Sequence, residues 1–289
     1  ARLKDKFLEL KATETSLVKV GISPHAAYTV SRKLFERITD YAVAENIKIS
    51  VHAAESVQER DFFETGKGFF ADLYKNLNLD WRAPRTSPVE YLNDIGVLRA
   101  KPLLVHCVKV SKRDIELIAE TDSSIAHCPK SNAKFGHGIA PLEKFLAQNI
   151  RVGFGSDSVA SNNVCDIFEE ARFATLLARG ENRKRFLSAR EIIETATRGA
   201  ARAMNLDAEI GTLESGKQAD LIVVSLDQAA QMPMHDVYST LLFATNARDV
   251  KMTMVAGAEI YRDGQTKLID EIELKTKMKE IAVKMCSEN

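Results

Sequence analysis

The sequence predicts an α/β fold, a (β/α) barrel of the TIM type, because short apolar runs end repeatedly at a reactive polar residue. Five such runs occur between residues 17 and 157, and patterns typical of helices follow most of them. Buried parallel strands consist of short apolar runs, and helices connect them. In such barrels the catalytic groups lie where a strand ends and a loop begins. The runs are Leu17–Ser23 before His25, Ile47–Val51 before His52, Pro102–Val105 before His106, Ser123–Ala126 before His127, and Arg151–Gly155 before Asp157.

The predicted barrel is incomplete. A closed barrel of this type needs eight strands and about 250 residues. Residues 1–205 supply only five strand–helix units. We therefore expect either that the first three strands are absent from this chain or that the architecture is not a complete barrel.

Capping signals and periodicity predict helices between the runs. Ser31 and Ser111 are suited to cap helices, and Ser188 with Glu191 forms a capping box. Residues 56–88 contain no clear strand, and a connection of this length favours a functional loop. Further helices are expected up to residue 15, from Pro141 to Gln148, over Val164–Leu177 and over Leu274–Cys286.

The character of the sequence changes after Asn205. Glycines punctuate strand-like runs over Leu221–Leu226 and Met252–Ala256, which suggest part of a C-terminal β-sandwich packed on the barrel. The predicted domain organisation is a barrel portion at 1–205, a β-sandwich portion at 206–270 and a C-terminal helix at 271–289.

Composition narrows the classes of function. Forty basic residues balance forty acidic ones, so neither nucleic acid nor an anionic membrane is an expected partner. The sequence has no signal-peptide pattern and no apolar stretch long enough to span a membrane. Its four cysteines are widely spaced, which favours reduced thiols in a cytoplasmic protein. A glycine-rich phosphate cradle is not evident, which argues against a sugar-phosphate barrel enzyme.

The strongest chemical signal is the sequence H-A-A-E, which contains His52 and Glu55. A neutral imidazole at a strand end can bind a divalent metal, and a carboxylate three residues later can transfer protons from a metal-bound water. A core histidine beside a surface acid would give the same pattern. Asp157 ends a buried run, where a carboxylate needs a partner or a metal unless it caps a helix. Glu59 is expected to be a solvated charge of the loop.

Substrate contacts are expected at the strand ends and in the long loop. An arginine in residues 56–88 could pair with a substrate carboxylate, although a solvated arginine is equally compatible with the pattern. Serine at the last strand end could bond a substrate or cap the next helix. The candidate substrate-binding residues are His25, Trp81, Arg85, His137 and Ser161.

Six motifs occur in the order seen in the amidohydrolase superfamily, which the chain resembles over residues 16–265. They are G-I-S-P-H-A-A-Y-T-V-S, V-H-A-A-E-S-V-Q-E, S-P-V-E-Y-L, L-L-V-H-C-V, C-P-K-S-N-A-K-F-G-H-G-I-A-P-L and G-S-D-S-V-A-S-N-N. The branch of methylthioadenosine/S-adenosylhomocysteine deaminases is the most similar, with guanine and cytosine deaminases and triazine chlorohydrolases as relatives. The resemblance implies strands 4–8 of an amidohydrolase-type barrel.

The resemblance also implies roles for individual residues. His52 on the fifth strand would ligate the metal, and Glu55 would be the proton shuttle. His106 on the sixth strand would orient the hydroxide and could complete the ligand set. Asp157 on the eighth strand would ligate the metal and accept a proton from water, and His25 would contact substrate. The cofactor would be one divalent metal, with zinc expected and iron or manganese as alternatives. Ser131 and Asn132 match a pair in the family that is expected to be structural.

The implied activity is hydrolytic deamination of an amino-purine nucleoside or related N-heterocycle by a metal-bound hydroxide. A homodimer is expected. Two alternatives stay open, namely a chlorohydrolase or other amidohydrolase reaction on the same scaffold, and an inactive fragment or structural subunit. The second arises because the family uses an H-x-H pair on its first strand. The six histidines of this chain, at positions 25, 52, 106, 127, 137 and 235, include no such pair.

Overall fold

The structure is a computed structural model that describes residues 2–181 and 186–287. It contains a four-stranded parallel sheet of order β1-β2-β3-β4 and a four-stranded antiparallel sheet of order β5-β6-β7-β8. The strands are β1 (Ser50–Ala53), β2 (Leu103–His106), β3 (Ser124–His127), β4 (Arg151–Phe154), β5 (Leu221–Val224), β6 (Val250–Val255), β7 (Ala258–Arg262) and β8 (Gln265–Thr266).

Helices surround the parallel sheet. The α-helices are α1 (Arg2–Lys11), α2 (Arg32–Ala44), α3 (Val57–Thr65), α4 (Phe69–Asn76), α5 (Pro88–Asp94), α6 (Lys112–Glu120), α7 (Pro129–Lys134), α8 (Leu142–Ala147), α9 (Val159–Asn162), α10 (Ile167–Gly180), α11 (Ala189–Glu194), α12 (Ala200–Ala203), α13 (Val237–Phe243) and α14 (Glu271–Ser287). Short 3₁₀ segments lie at Val97–Ala100, Ala229–Gln231 and Ala247–Asp249, and a π-helical turn lies at Thr195–Gly199. In the described ranges, no helix is both long and apolar enough to span a membrane.

The parallel sheet confirms the predicted partial barrel. Its strands follow one another in chain order, all pairs are parallel, and helices connect them. Val51, Leu104, Ile125 and Val152 pair across the four strands and are almost fully buried. This apolar row is the centre of the core, and it places the carboxyl ends of the strands at one edge.

The first predicted strand is the exception. Leu17–Ser23 does not form a continuous strand, and the segment joins β1 only through isolated parallel bridges at Ile22 and Ala26. Pro24 lies between these bridges and has no backbone N–H, which interrupts a ladder at this point. The prediction of a strand was therefore wrong, although the segment does run parallel to β1.

Residues 56–88, predicted to be a functional loop without a clear strand, contain two helices, α3 and α4. Within this segment, α3 and α4 pack around an aromatic cluster in which Trp81 stacks on Phe62 at 4.2 Å between ring centroids. Phe63 and Tyr74 also contact the Trp81 ring. These aromatic side chains are continuous with the main hydrophobic core, since Phe62 and Phe63 belong to the same buried cluster as Val51.

Capping explains where the later helices differ from the sequence pattern. The helix predicted over Val164–Leu177 begins at Ile167, because the Asp166 side chain accepts from two backbone N–H groups of its first turn. The capping box at Ser188 is confirmed, and the helix it opens changes to a π-helical turn after Glu194. The C-terminal helix begins at Glu271, the first residue of the predicted helical segment 271–289 and ahead of the periodic run that starts at Leu274. Residues 288–289 of that segment lie outside the described residues.

The antiparallel sheet lies within the segment predicted as a β-sandwich portion. Both predicted runs form strands, β5 and β6, and the sequence pattern missed β7 and β8. Between β5 and β6 the chain returns to the barrel as α13, where the Arg172 guanidinium of α10 donates to the Leu242 carbonyl oxygen at 2.9 Å. The sheet and the barrel are thus joined through this helix.

Close contact between β4 and α12 gives a stability prediction. An added Cβ at Gly153 would lie 2.8 Å from the Ala200 backbone. We expect Gly153→Ala to lower the free energy of unfolding by about 1–3 kcal/mol in a denaturant titration, because two backbones must separate. Gly180→Ala at the end of α10, where no described atom lies within 4 Å, is the control and should gain up to about 1 kcal/mol. Equal stabilities for the two variants would contradict this packing.

Candidate active site

Four polar side chains converge at the carboxyl edge of the parallel sheet. His52 lies in β1, one residue before its end, His106 ends β2, and Asp157 follows β4. The ring centroid of His52 is 5.3 Å from that of His106 and 4.9 Å from that of His25. The sheet therefore places the three predicted metal ligands, His52, His106 and Asp157, at one edge. The predicted substrate contact His25 lies at the same edge.

The backbone at this edge adopts left-handed conformations at residues other than glycine. φ is +52° at Ala54, +75° at His106, +50° at Cys107 and +57° at Asp157. Such conformations cost about 1–3 kcal/mol each and are typical of functional sites. Cross-strand hydrogen bonds hold them, since the Cys107 N–H donates to the Ala53 oxygen at 3.1 Å.

His52 is held in the tautomer suited to a metal ligand. Its Nδ1 lies 2.8 Å from the backbone oxygen of His25, which can only accept, so Nδ1 carries the proton. The lone pair is therefore on Nε2. A hydrogen bond of this kind is a common feature of metal-binding histidines.

His106 is oriented in the same way by a side chain. Its Nδ1 lies 2.8 Å from Oδ1 of Asn132, and both residues are buried. Burial lowers the pKa of His106, although the charge of nearby Glu55 opposes this effect. His106 is thus favoured as a neutral ring with its lone pair on Nε2.

Asp157 is held as an anion. The Ser131 hydroxyl donates to Oδ2 at 2.6 Å, and the Ser158 backbone N–H donates to Oδ1 at 2.7 Å. Burial alone would raise the pKa of Asp157, but these hydrogen bonds, with the His106 charge and the Ser161 hydroxyl, lower it overall. Hydrogen bonds to both oxygens therefore stabilise Asp157 as a carboxylate, the form that a metal ligand or a general base requires.

Glu55 lies between two histidines. Its Oε1 is 3.6 Å from Nε2 of His106 and 3.4 Å from Nε2 of His137, and its side chain is 18% exposed. A partly solvated carboxylate in contact with imidazoles is suited to proton transfer. His137, which the sequence suggested as a substrate contact, thus lies beside the predicted proton shuttle.

Glu59 corrects the expectation of a solvated charge. It is fully buried, and its Oε2 accepts the backbone N–H of Glu55 at 2.8 Å. Burial raises the pKa of Glu59 to about 8, although backbone hydrogen bonds from Glu55, Ala54 and Ser56 oppose the shift. The sequence could have indicated the hydrogen bond, though not the burial. Ser56 caps α3 and Glu59 is its third residue, a position from which an acid can accept from the N–H groups before the helix.

The remaining predicted substrate contacts lie in different surroundings. His25 is exposed near His52, with its Nδ1 2.8 Å from the Thr29 hydroxyl; burial and then the His52 charge lower its pKa. The Ser161 hydroxyl contributes to the lowered pKa of Asp157. Trp81 packs in the aromatic cluster, and the Arg85 guanidinium donates to the Thr65 backbone oxygen at 2.9 Å. Their roles toward substrate stay predictions.

Two residues expected to be only structural act directly on the site. Ser131 and Asn132 lie in α7, which Pro129 opens, and they contact Asp157 and His106 respectively. Both side chains are buried. One short helix therefore positions two candidate metal ligands from two different strands.

The donor set fits a divalent metal residue by residue. Two imidazoles present Nε2 lone pairs, and one carboxylate is held charged, which are ligands that zinc, iron and manganese accept. Among the described residues, however, no group of three or more such side chains is gathered closely enough to hold an ion. His52, His106 and Asp157 are thus suitable ligands without forming a complete set.

The fold and the site define an α/β-barrel scaffold with polar side chains at the strand ends. The sequence profile described as "Amidohydrolase family" matches residues 1–260, and the chain belongs to that family.

Named relatives are deaminases. The chain is 30% identical over 275 residues to a 5-methylthioadenosine/S-adenosylhomocysteine deaminase of Thermodesulfovibrio yellowstonii, covering 95% of this chain and 58% of that protein. It is 33% identical over 254 residues to the deaminase of the same name from Moorella thermoacetica, covering 88% of this chain and 55% of that protein. The chain thus spans somewhat more than half the length of these relatives.

Solved structures agree on the fold. An adenosine deaminase from Xanthomonas campestris with bound zinc matches 98% of this chain and 62% of its own, with a TM-score of 0.86 and 28% identity. The atrazine chlorohydrolase of Arthrobacter aurescens complexed with zinc matches 96% of this chain and 59% of its own, with a TM-score of 0.82 and 23% identity. The second likeness concerns the fold alone.

The buried acid gives a prediction on pH. Between the ordinary pKa of 4.5 and the folded value of about 8, the native protein keeps a proton that the unfolded chain loses. Stability therefore falls as pH rises through this window, and Glu59→Gln should remove that loss, which is at most about 4–5 kcal/mol. Unfolding titrations from pH 4 to 9 measure the difference. Glu280→Gln on exposed α14 is the control, and parallel curves for Glu59→Gln and the parent protein would contradict the assignment.

Proposed function

We propose that these residues form part of the active site of a metal-dependent hydrolase that deaminates an amino-purine nucleoside or related N-heterocycle. The observation that carries the proposal is the placement of Glu55 against His106, beside His52 and Asp157. This arrangement combines candidate metal ligands with a carboxylate positioned to move protons. The names of the relatives, which are deaminases of nucleosides, support the choice of reaction.

His52 and Asp157 would hold the metal, with zinc expected and iron or manganese as alternatives. The bound metal would supply activation of a water molecule at neutral pH. Catalytic zinc normally has three protein ligands. Either His106 or a residue outside this chain would complete the set, since the chain spans 58% of the relative from T. yellowstonii.

The residues of this chain would manage the protons. Asp157, held as a carboxylate by Ser131, would accept a proton from the attacking water. Glu55 would take up the other proton of that water and deliver it to the substrate, and Asp157 would return the first. With both protons on the substrate, the carbon–nitrogen bond breaks, the amino group leaves as ammonia and the carbon keeps the oxygen of the water. His106 would present its Nε2 toward the oxygen that adds to the ring.

Metal content and turnover separate these roles. We expect His52→Ala and Asp157→Ala each to lower zinc affinity by at least about tenfold, because each removes a ligand. Glu55→Gln should keep the zinc and lower ammonia release from 5′-methylthioadenosine by at least about 100-fold. Zinc is measured by titration of the metal-free chain and by elemental analysis, and His235→Ala, at an exposed position, is the control. Full turnover by Glu55→Gln would contradict the proton-shuttle role.

The same assay distinguishes the alternatives. Chloride release from a chlorinated triazine without deamination of any nucleoside would favour the chlorohydrolase reaction. Absence of both zinc binding and turnover in the 289-residue chain would contradict the proposal for this chain by itself. It would favour a structural subunit or a site completed by residues that the chain lacks.

A further inference from the structure

One oxygen of Glu55 lies against two imidazole rings. Oε1 is 3.6 Å from Nε2 of His106 and 3.4 Å from Nε2 of His137. A carboxylate oxygen accepts hydrogen bonds, so each contact is attractive only when the facing nitrogen carries a proton. The hydrogen bonds on the other sides of the two rings decide which ring can supply it.

His106 is held in a tautomer that cannot supply this proton. Its Nδ1 donates to the amide oxygen of Asn132 at 2.8 Å, so the proton of the neutral ring is on Nδ1. Nε2 therefore presents a lone pair to Glu55. In the neutral state the contact between His106 and Glu55 joins two acceptors.

His137 has no comparable constraint. In the described part of the chain no hydrogen bond fixes the tautomer of its ring, so Nε2, which faces Oε1 of Glu55 at 3.4 Å, can carry the proton. The ring is nevertheless held in place, because it stacks on Phe135 at 5.7 Å with an angle of 20° between the planes. Its backbone N–H also donates to the Asn132 oxygen at 2.9 Å. The residue that orients His106 thus anchors His137 as well.

We propose that His137 is a positioning residue for Glu55, with its Nε2–H donating to Glu55 Oε1. The distance of 3.4 Å exceeds the roughly 2.7–3.2 Å of a formed N–H···O bond, and such bonds at catalytic sites often tighten when substrate binds. The donated bond offsets the repulsion between Oε1 and the lone pair of His106. It fixes the carboxylate through Oε1. The role in proton transfer rests on the proposed function, whereas the hydrogen bond itself does not.

The direct test is the tautomer of His137, measured by two-bond ¹H–¹⁵N NMR correlations on the full chain labelled with ¹⁵N-histidine. Its signals are assigned by their loss in His137→Gln. We expect the proton on Nε2 in the parent protein, with exchange slow enough for the Nε2–H signal to be seen. In Glu55→Ala this signal should be lost to exchange, while His106 keeps its Nδ1–H and thereby shows that the site remains folded.

Two results would overturn the proposal. One is a His137 ring that carries its proton on Nδ1 in the parent protein. The other is an Nε2–H signal that is unchanged in Glu55→Ala. Neither result requires that the chain turn over any substrate.

Kinetics give a second readout when a substrate is turned over. His137→Gln keeps an N–H donor near the position of Nε2 and should retain kcat within about threefold, whereas His137→Leu should lower kcat about tenfold with KM within about twofold. A higher KM with unchanged kcat in His137→Leu would make His137 a substrate contact and overturn the positioning role. If no substrate is turned over, the proposed function fails, and the tautomer alone decides this inference.

Discussion

The left-handed backbone at His106 is the constraint on which the site depends. In the register of β1 and β2, His52 pairs with Val105 and His106 pairs with Ala53. Side chains alternate along a strand, so a regular strand would direct His52 and His106 to opposite faces of the sheet. A φ of +75° at His106 takes that residue out of strand geometry, and its ring centroid lies 5.3 Å from that of His52. Cross-strand bonding at Cys107 and the hydrogen bond to Asn132 hold this conformation.

Helix α7 gives this edge its second support. Ser131 and Asn132 are adjacent in the chain. Ser131 contacts Asp157, which follows β4, and Asn132 contacts His106, which ends β2, so the two contacts lie on either side of β3. Glu59 supports the edge from the other side, through the backbone N–H of Glu55. A fully buried carboxyl group destabilises the native state once it must ionise. Glu59 therefore lowers the stability of the native state, while its hydrogen bond fixes the backbone at Glu55; such a combination is typical of functional sites.

The sequence predicts the parts of this structure that depend on periodicity and capping. Apolar runs located β1 to β4 within a few residues, and the capping box at Ser188 marked a helix start. Leu17–Ser23 has the same apolar pattern, but Pro24, which directly follows it, limits its pairing to isolated bridges, an effect that the apolar pattern by itself does not include. The burial of Glu59 depends on how α3 packs, and the orientation of His106 depends on a backbone angle. Both are tertiary properties that residue types alone leave undetermined.

Each candidate ligand is oriented by a partner within this chain, even though no three ligands are gathered together among the described residues. The His25 backbone fixes His52, Asn132 fixes His106, and Ser131 fixes Asp157. Loss of such an orienting partner typically lowers metal affinity by about 10- to 100-fold. In the proposed metal site, any further ligand would therefore not need to orient His52, His106 or Asp157, since partners within this chain already do so. The conformational cost of metal binding at these three candidate ligands would then be small, because their side chains already have the tautomers and the charge that a divalent metal requires.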